Sequence, residues 1–283
     1  MKVVLFCGGQ GVRLRDYSDQ VPKPMVNVGY RPILWNIMKY YAYYGHNEFI
    51  LCLGYKADVI KNYFLNYDET ISNDFVFTDG GKEIELQNSD IHDWKITFVD
   101  TGLNANIGMR LMQVQKYLKN DEMFLANYSD GLSDLHLPSM IDWFKQKEDK
   151  TAAFMSTPSH QSYHFVDKKE DGTVNAISHI GSSHLLINAG YFILRNSIFD
   201  YMKYGDELVD QPFKRLISQN QLISWEHQGF WMSMDTFKDK KNIDDIYEKG
   251  NPPWEVWKEK AKKERKIKRS EKKTYTTNED PVQ

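Results

Sequence analysis

VVLFCGGQGVRLRDYSDQVPKPMVNV, residues 3–28, is the stretch on which the reading of the whole chain depends. It begins with Val3, Val4, Leu5 and Phe6, a short apolar, β-branched run that suits a strand buried on both faces. Gly8, Gly9 and Gly11 come next, with Arg13 and Arg15 close behind. Glycines let the backbone approach a ligand closely and turn several N–H groups toward one anion. Arg13 and Lys23 would bring full positive charges to the same anion. Pro22 and Pro24 restrict the backbone on both sides of Lys23 and would hold it in one extended direction. The segment reads as a phosphate-binding loop after a buried strand. On residue types alone the glycines also suit a tight connection, and Pro22-Lys23-Pro24 a plain surface loop. Neither G-x-x-x-x-G-K-[ST] nor the dinucleotide spacing G-x-G-x-x-G occurs, which sets aside those two nucleotide-binding classes.

Downstream, residues 33–44 have the spacing of an amphipathic helix stopped at Gly45. Residues 49–53 read as a second buried strand, with a helix after it over 57–66. Strand and helix alternating at this interval predict a parallel sheet. Residues 68–95 interrupt the rhythm and read as an inserted excursion carrying a hairpin. Further strands are predicted at 96–99, 123–128, 151–157, 187–194 and 223–228, with a hairpin over 163–177 turning at Asp171-Gly172. Helices are predicted at 108–119, 213–218 and 238–249.

Candidate chemistry lies where these strands end. Asp130 comes after the apolar run 123–128 and precedes Gly131, and open α/β sheets bind ligands at the carboxyl ends of their strands. A hard cation takes few protein carboxylates and lets phosphates complete its shell. Asp130 equally suits a simple turn cap, and Asp134 is a weaker candidate. Arg110, at a predicted helix start beside Gly108, suits an anion or a solvated face. Asn188 stands at a strand entrance, where asparagine is common for purely local reasons.

The motifs GGQGVRL, PKPM, VDTG, YSDG, INAG and FWMSMDT occur in this order. Together they resemble the signature of the sugar-phosphate nucleotidylyltransferases. GYRPILWNIMKY at 29–40 and PPWEVW at 252–257 resemble the glucose-1-phosphate cytidylyltransferase branch in particular. The resemblance spans about residues 2–257 and implies a nucleotidyltransferase domain over 1–257, with a charged tail at 258–283. It implies an α/β, three-layer Rossmann-like nucleotidyltransferase fold with a mostly parallel sheet and the hairpin insertion at 68–95, that insertion and the 160–190 region roofing the site. The implied reaction transfers CMP from CTP to a sugar 1-phosphate, glucose 1-phosphate first among them, and releases pyrophosphate.

Carried over by position, the resemblance makes Arg13 and Lys23 catalytic. It sets Gly8, Gly9, Gly11, Val12, Arg110 and Asp130 at the nucleotide, Asn188 at the acceptor, and Asp130 and Asp235 at Mg²⁺. No general base is required, because a sugar phosphate is already ionised near neutral pH. Two departures stand out. Val12 replaces the usual Thr or Ser. The F-x-E-K-P lysine that grips an acceptor phosphate is missing from ISHIGSSH, residues 177–184. His179 or His184 could replace that cation, or either could be an ordinary loop histidine. A different phosphorylated or phosphonylated acceptor, and a non-catalytic nucleotide-binding relative, stand as alternatives.

Composition narrows the classes further. The chain has 283 residues, 41% of them hydrophobic, and a formal net charge of −3. That suits one large domain with a sizeable core and gives no electrostatic case for a nucleic-acid or membrane partner. Its two cysteines, Cys7 and Cys52, lie in apolar runs and read as reduced core residues. No secretory leader and no membrane-length apolar run is read. A cytoplasmic enzyme, acting as a homo-oligomer, is the expectation. The charged tail reads as a solvated helix rather than a nucleic-acid arm, since it lacks aromatic interleaving.

Overall fold

Val3, Val4, Leu5 and Phe6 form β1 (Val3–Phe6), buried along its whole length. The computed structural model describes residues 1–9, 21–159, 164–180 and 185–258. After a 3-10 turn at Lys23–Met25 come the short strands β2 (Asn27–Val28) and β3 (Arg31–Pro32). Next are α1 (Ile33–Tyr43), β4 (Glu48–Leu53) and α2 (Ala57–Leu65). The excursion carries the hairpin β5 (Phe75–Thr78) and β6 (Glu83–Leu86), and the chain returns along β7 (Lys95–Asp100). Then come α3 (Ile107–Val114), β8 (Met123–Asn127), β9 (Gly131–Ser133), α4 (Leu137–Lys145) and β10 (Ala152–Pro158). A second hairpin pairs β11 (His164–Lys168) with β12 (Val174–His179), ahead of β13 (Leu186–Arg195). The last elements are α5 (Gln211–Ser218), β14 (Leu222–Glu226), β15 (Trp231–Ser233) and α6 (Phe237–Glu248).

The main sheet has seven strands in the order β14-β10-β13-β8-β1-β4-β7. Every neighbouring pair is parallel except the two made by β13, which runs antiparallel to both β10 and β8. Alternation along β1 explains the layering. Val3 and Leu5 join a core with Ile37 and Met38 of α1 and Met140 and Phe144 of α4. Val4 and Phe6 point the other way, into a core with Leu111 of α3 and Phe213 and Leu216 of α5. Successive side chains of a strand face opposite sides, so a continuous apolar run demands cover on both. Each buried Val, Leu or Phe contributes about 1.5–3 kcal/mol relative to exposure. The parallel register sets Phe6 level with Cys52, and Cys52 with Val99, so β1, β4 and β7 end together.

One expectation needs correction. The helix read over 108–119 stops at Val114 and continues as a 3-10 turn, Gln115–Tyr117, because burial of Leu118 draws the chain back into the core. No residue of the 68–95 excursion is among the described residues that line the cavity of the candidate active site. Arg31 of β3, only 2% exposed, donates to the Asp68 carbonyl at 2.7 Å and to the Ser72 hydroxyl, and stacks 4.3 Å from the centre of the Tyr67 ring. Lys39 and Tyr67 reach Asp90 at 3.1 and 3.2 Å, so the excursion is fastened to α1. The hairpin β11–β12 is exposed along both strands, Asn188 and Gly190 both contact Tyr128, and residues 160–163 and 181–184 of the expected roof lie outside the described residues. Among the described residues no helix is long and apolar enough to cross a membrane.

Candidate active site

Asp130 is presented by a local device at the end of β8. The Asn127 side-chain oxygen accepts the Ser129 N–H at 2.9 Å, and Ser129 adopts a left-handed φ of +66°. Few non-glycine residues tolerate that conformation, and it turns the chain sharply out of the sheet. Asn127 also donates to the Tyr41 hydroxyl of α1, and the Cys7 thiol donates to the Ser129 hydroxyl at 3.4 Å. Burial pushes the Cys7 thiol up to about 12, so it stays neutral in this contact.

A two-stranded ribbon brings in the second aspartate. β9 pairs antiparallel with β15, matching Gly131 with Ser233, and the Met234 N–H donates to the Asp130 carbonyl at 2.9 Å. Asp235 therefore emerges beside Asp130. At the ribbon's other end the Asp134 carboxylate accepts the Phe230 N–H at 2.8 Å and lies 2.9 Å from Nε2 of His227. Asp134 thus closes the turn, away from the cavity that Asp130 and Asp235 line.

Lys23 joins the two aspartates. Its ammonium lies 2.7 Å from Oδ2 of Asp130 and 2.8 Å from Oδ1 of Asp235. The proline frame is a 3-10 turn rather than an extended run, closed by the Met25 N–H on the Pro22 carbonyl, with Pro24 and Met25 buried beneath it. Burial alone would lower the Lys23 pKa, but the two carboxylates outweigh it and hold the group above its ordinary value. The ammonium stays charged.

These groups line a cavity of about 470 Å³. Phe6, Gly9, Pro24, Asn106, Ile107 and Glu207 line it as well. Asn106 caps α3 by accepting the Met109 N–H and donates to the Gly205 carbonyl. The Glu207 carboxylate accepts the Ile107 N–H at 3.3 Å, and burial raises its pKa. Tyr128 lines the cavity too, its hydroxyl accepting from the Asn188 amide at 3.3 Å. Gly190 makes this possible: φ is +78°, and a Cβ there would fall 2.5 Å from the Tyr128 ring.

Arg110 also borders the cavity, yet its guanidinium is spent within the protein. It donates to the carbonyls of Gly8, Leu53 and Gly102 at 3.0–3.1 Å and to the Thr101 hydroxyl at 2.6 Å. These are the ends of β1, β4 and β7, so Arg110 staples the three strand ends together. Gly8 and Gly9 lie within the described residues. Gly11, Val12, Arg13 and His184 lie outside them. His179 sits on exposed β12 opposite His164, ring centres 5.4 Å apart, and is not among the cavity's described lining residues.

Sequence reading placed Asp130 and Asp235 together at a cation and Lys23 at the phosphates, and the structure brings the three side chains into one cluster. It missed Tyr128, Glu207 and the ribbon. β9 and β15 have three residues each, too few for an alternation signal. Glu207 had no pattern beyond its place in a polar stretch.

Residues 2–240 match the family described as nucleotidyl transferase. The chain belongs to that family. A relative named "Probable glucose-1-phosphate cytidylyltransferase" from Bacillus subtilis is 38% identical over 91% of this chain and 100% of its own length. The glucose-1-phosphate cytidylyltransferase of Salmonella typhi is likewise 38% identical, with the same coverage. Among solved structures, a UTP-bound UGPase from Acinetobacter baumannii superimposes with a TM-score of 0.63 at 18% identity, covering 87% of this chain and 92% of that one. The fold of this nucleotidyl transferase is thus the three-layer α/β architecture that the sequence implied. Its carboxylate pair fits a hard divalent cation: two oxygen donors face one cavity around a position already holding a positive charge. No third His, Cys, Asp or Glu joins them among the described residues, which suits a cation completing its shell with phosphate and water.

Proposed function

We propose that this enzyme transfers CMP from CTP to a sugar 1-phosphate, with glucose 1-phosphate the first candidate, and releases pyrophosphate. The observation that carries the reading is the meeting of Lys23, Asp130 and Asp235 in the cavity, in a chain 38% identical to two glucose-1-phosphate cytidylyltransferases. An acceptor phosphate oxygen attacks the α-phosphorus, the new P–O bond forms in line, and the bond to the β-phosphate breaks with its electron pair leaving on pyrophosphate. Such a transfer needs little covalent help, and positioning with charge neutralisation carries it. Mg²⁺ held by Asp130 and Asp235 supplies charge neutralisation at the phosphate oxygens when bound.

Lys23 offsets charge developing on the α-phosphate, and Arg13 is assigned the same task from the glycine loop, to which Gly11 and Val12 also belong. Arg110 acts at one remove, by fixing the Gly8 carbonyl. Asn188 sets the Tyr128 wall, and Glu207 offers an acceptor for hydroxyl donors of the bound substrates. The base and sugar are assigned from the named relatives. A different phosphorylated acceptor is favoured by one feature, the absence of any lysine from residues 177–184, and would leave the phosphate to His179 or His184.

The test is pyrophosphate release with Mg²⁺, crossing CTP, UTP, dTTP, ATP and GTP against sugar 1-phosphates and other phosphorylated acceptors. Turnover with CTP and glucose 1-phosphate is expected. Turnover with CTP and another acceptor alone would replace the substrate, and silence with every nucleotide would overturn the reading.

A further inference from the structure

We propose that Lys23 gates the cation site, so that the divalent cation enters only together with the nucleotide triphosphate. The inference rests on the reading of Asp130 and Asp235 as the cation's ligands. The ammonium holds one oxygen of each carboxylate. Asp235 gives Oδ1 to Lys23 at 2.8 Å, while its Oδ2 accepts the Ser233 hydroxyl at 2.9 Å. That hydroxyl fixes the rotation of the carboxylate and leaves Oδ1 as the oxygen turned toward Lys23. Asp130 gives Oδ2 to the same ammonium at 2.7 Å. Lys23 therefore occupies the carboxylates that would hold the cation.

Charge balance sets the order of entry. One ammonium and two carboxylates sum to a single negative charge. Adding a divalent cation beside the ammonium would crowd like charges into a half-buried space, where repulsion is weakly screened. The cation must displace Lys23, and Lys23 then needs another anionic partner. Water is a poor one for a side chain only 13% exposed. The triphosphate is a good one: the ammonium exchanges two carboxylates for phosphate oxygens, and the cation receives both carboxylates and phosphate. The movement stays within the four-carbon stem, because Pro24 and Met25 anchor the turn below it. No bond is made or broken in this exchange.

The experiment is a titration of the full chain with Mn²⁺ and no nucleotide, free Mn²⁺ being read by electron paramagnetic resonance. Wild type should leave the Mn²⁺ free. Lys23→Met should bind it about tenfold or more tightly, since the competing charge is gone, and adding Asp130→Asn to Lys23→Met should abolish the gain. Lys23→Ala gives an independent arm should the methionine variant misfold: n-butylammonium should weaken its Mn²⁺ binding, and equal sodium chloride should not. Equal Mn²⁺ affinity in wild type and Lys23→Met, or no gain in either variant, would overturn the gate. Pyrophosphate release by wild type is measured in parallel. A failed gate with CTP turnover intact removes this inference alone, while a gained Mn²⁺ site without turnover removes the assigned reaction and leaves the gate standing.

Discussion

Arg110 lies so close over Gly8 that a Cβ at position 8 would fall 2.1 Å from its Nη1. The glycine is required there for space, and φ plays no part. Gly8→Ala must push the guanidinium off the carbonyls of Gly8, Leu53 and Gly102. Overpacking of this kind costs about 1–3 kcal/mol. Denaturant unfolding should show that loss together with a fall in kcat/KM. Arg110→Gln should lose stability too, whereas a residue that merely touched nucleotide would lower affinity and leave the unfolding midpoint in place.

Asp130→Asn and Asp235→Asn should each reduce kcat by about a hundredfold or more, the scale on which a charge-stabilising group acts. Chelation of divalent cations should abolish turnover, and Mg²⁺ should restore it. Retention of full activity by both variants would remove the cation from these residues.

Asp134 tests the ribbon as a positioning device. Asp134→Ala removes the acceptor of the Phe230 N–H and leaves His227 Nε2 with only the Phe230 carbonyl among its described contacts. Losing a typical hydrogen bond costs about 0.5–1.5 kcal/mol. The far end of β9–β15 should loosen, and kcat should fall while KM for nucleotide changes little. The variant should bind nucleotide with near wild-type affinity by calorimetry.

His46 gives the acid side of the stability profile. Burial, then the N-terminal ammonium 3.2 Å away and Lys145, lowers its pKa to about 4. A base whose folded pKa is depressed binds its proton better when unfolded. Its contribution is therefore present above the unfolded value of about 6.5 and is lost as pH falls toward 4. The loss is at most about 1.4 kcal/mol per pH unit, and smaller because the ring is only partly buried. Denaturant unfolding of His46→Gln should show a shallower decline between pH 6.5 and 4.

The layered sheet was legible because β1, β4 and β8 are apolar runs whose both faces need cover, and such runs stand out against polar connections. The aspartates were legible for a related reason, each coming after an apolar run at a glycine or a recognisable motif. What stayed hidden depends on contacts between distant segments. Nothing local distinguishes Arg110 as a staple from Arg110 as a ligand, since the difference lies in the carbonyls of Gly8 and Leu53 meeting it in space. Likewise nothing local shows where the 68–95 excursion is fastened, which a buried Arg31 thirty-seven residues before Asp68 decides.

The three charged groups of the site come from widely separated positions: Lys23 is 107 residues from Asp130 and 212 from Asp235. Contacts so remote in sequence form late in folding, after the loops between them have closed. During synthesis, which proceeds from the N-terminus at about 5–20 residues per second, β1 and its glycine loop exist long before Asp235 is made. A growing chain therefore displays its glycine loop while still lacking one of the carboxylates, and the cluster becomes whole only after the ribosome has passed residue 235.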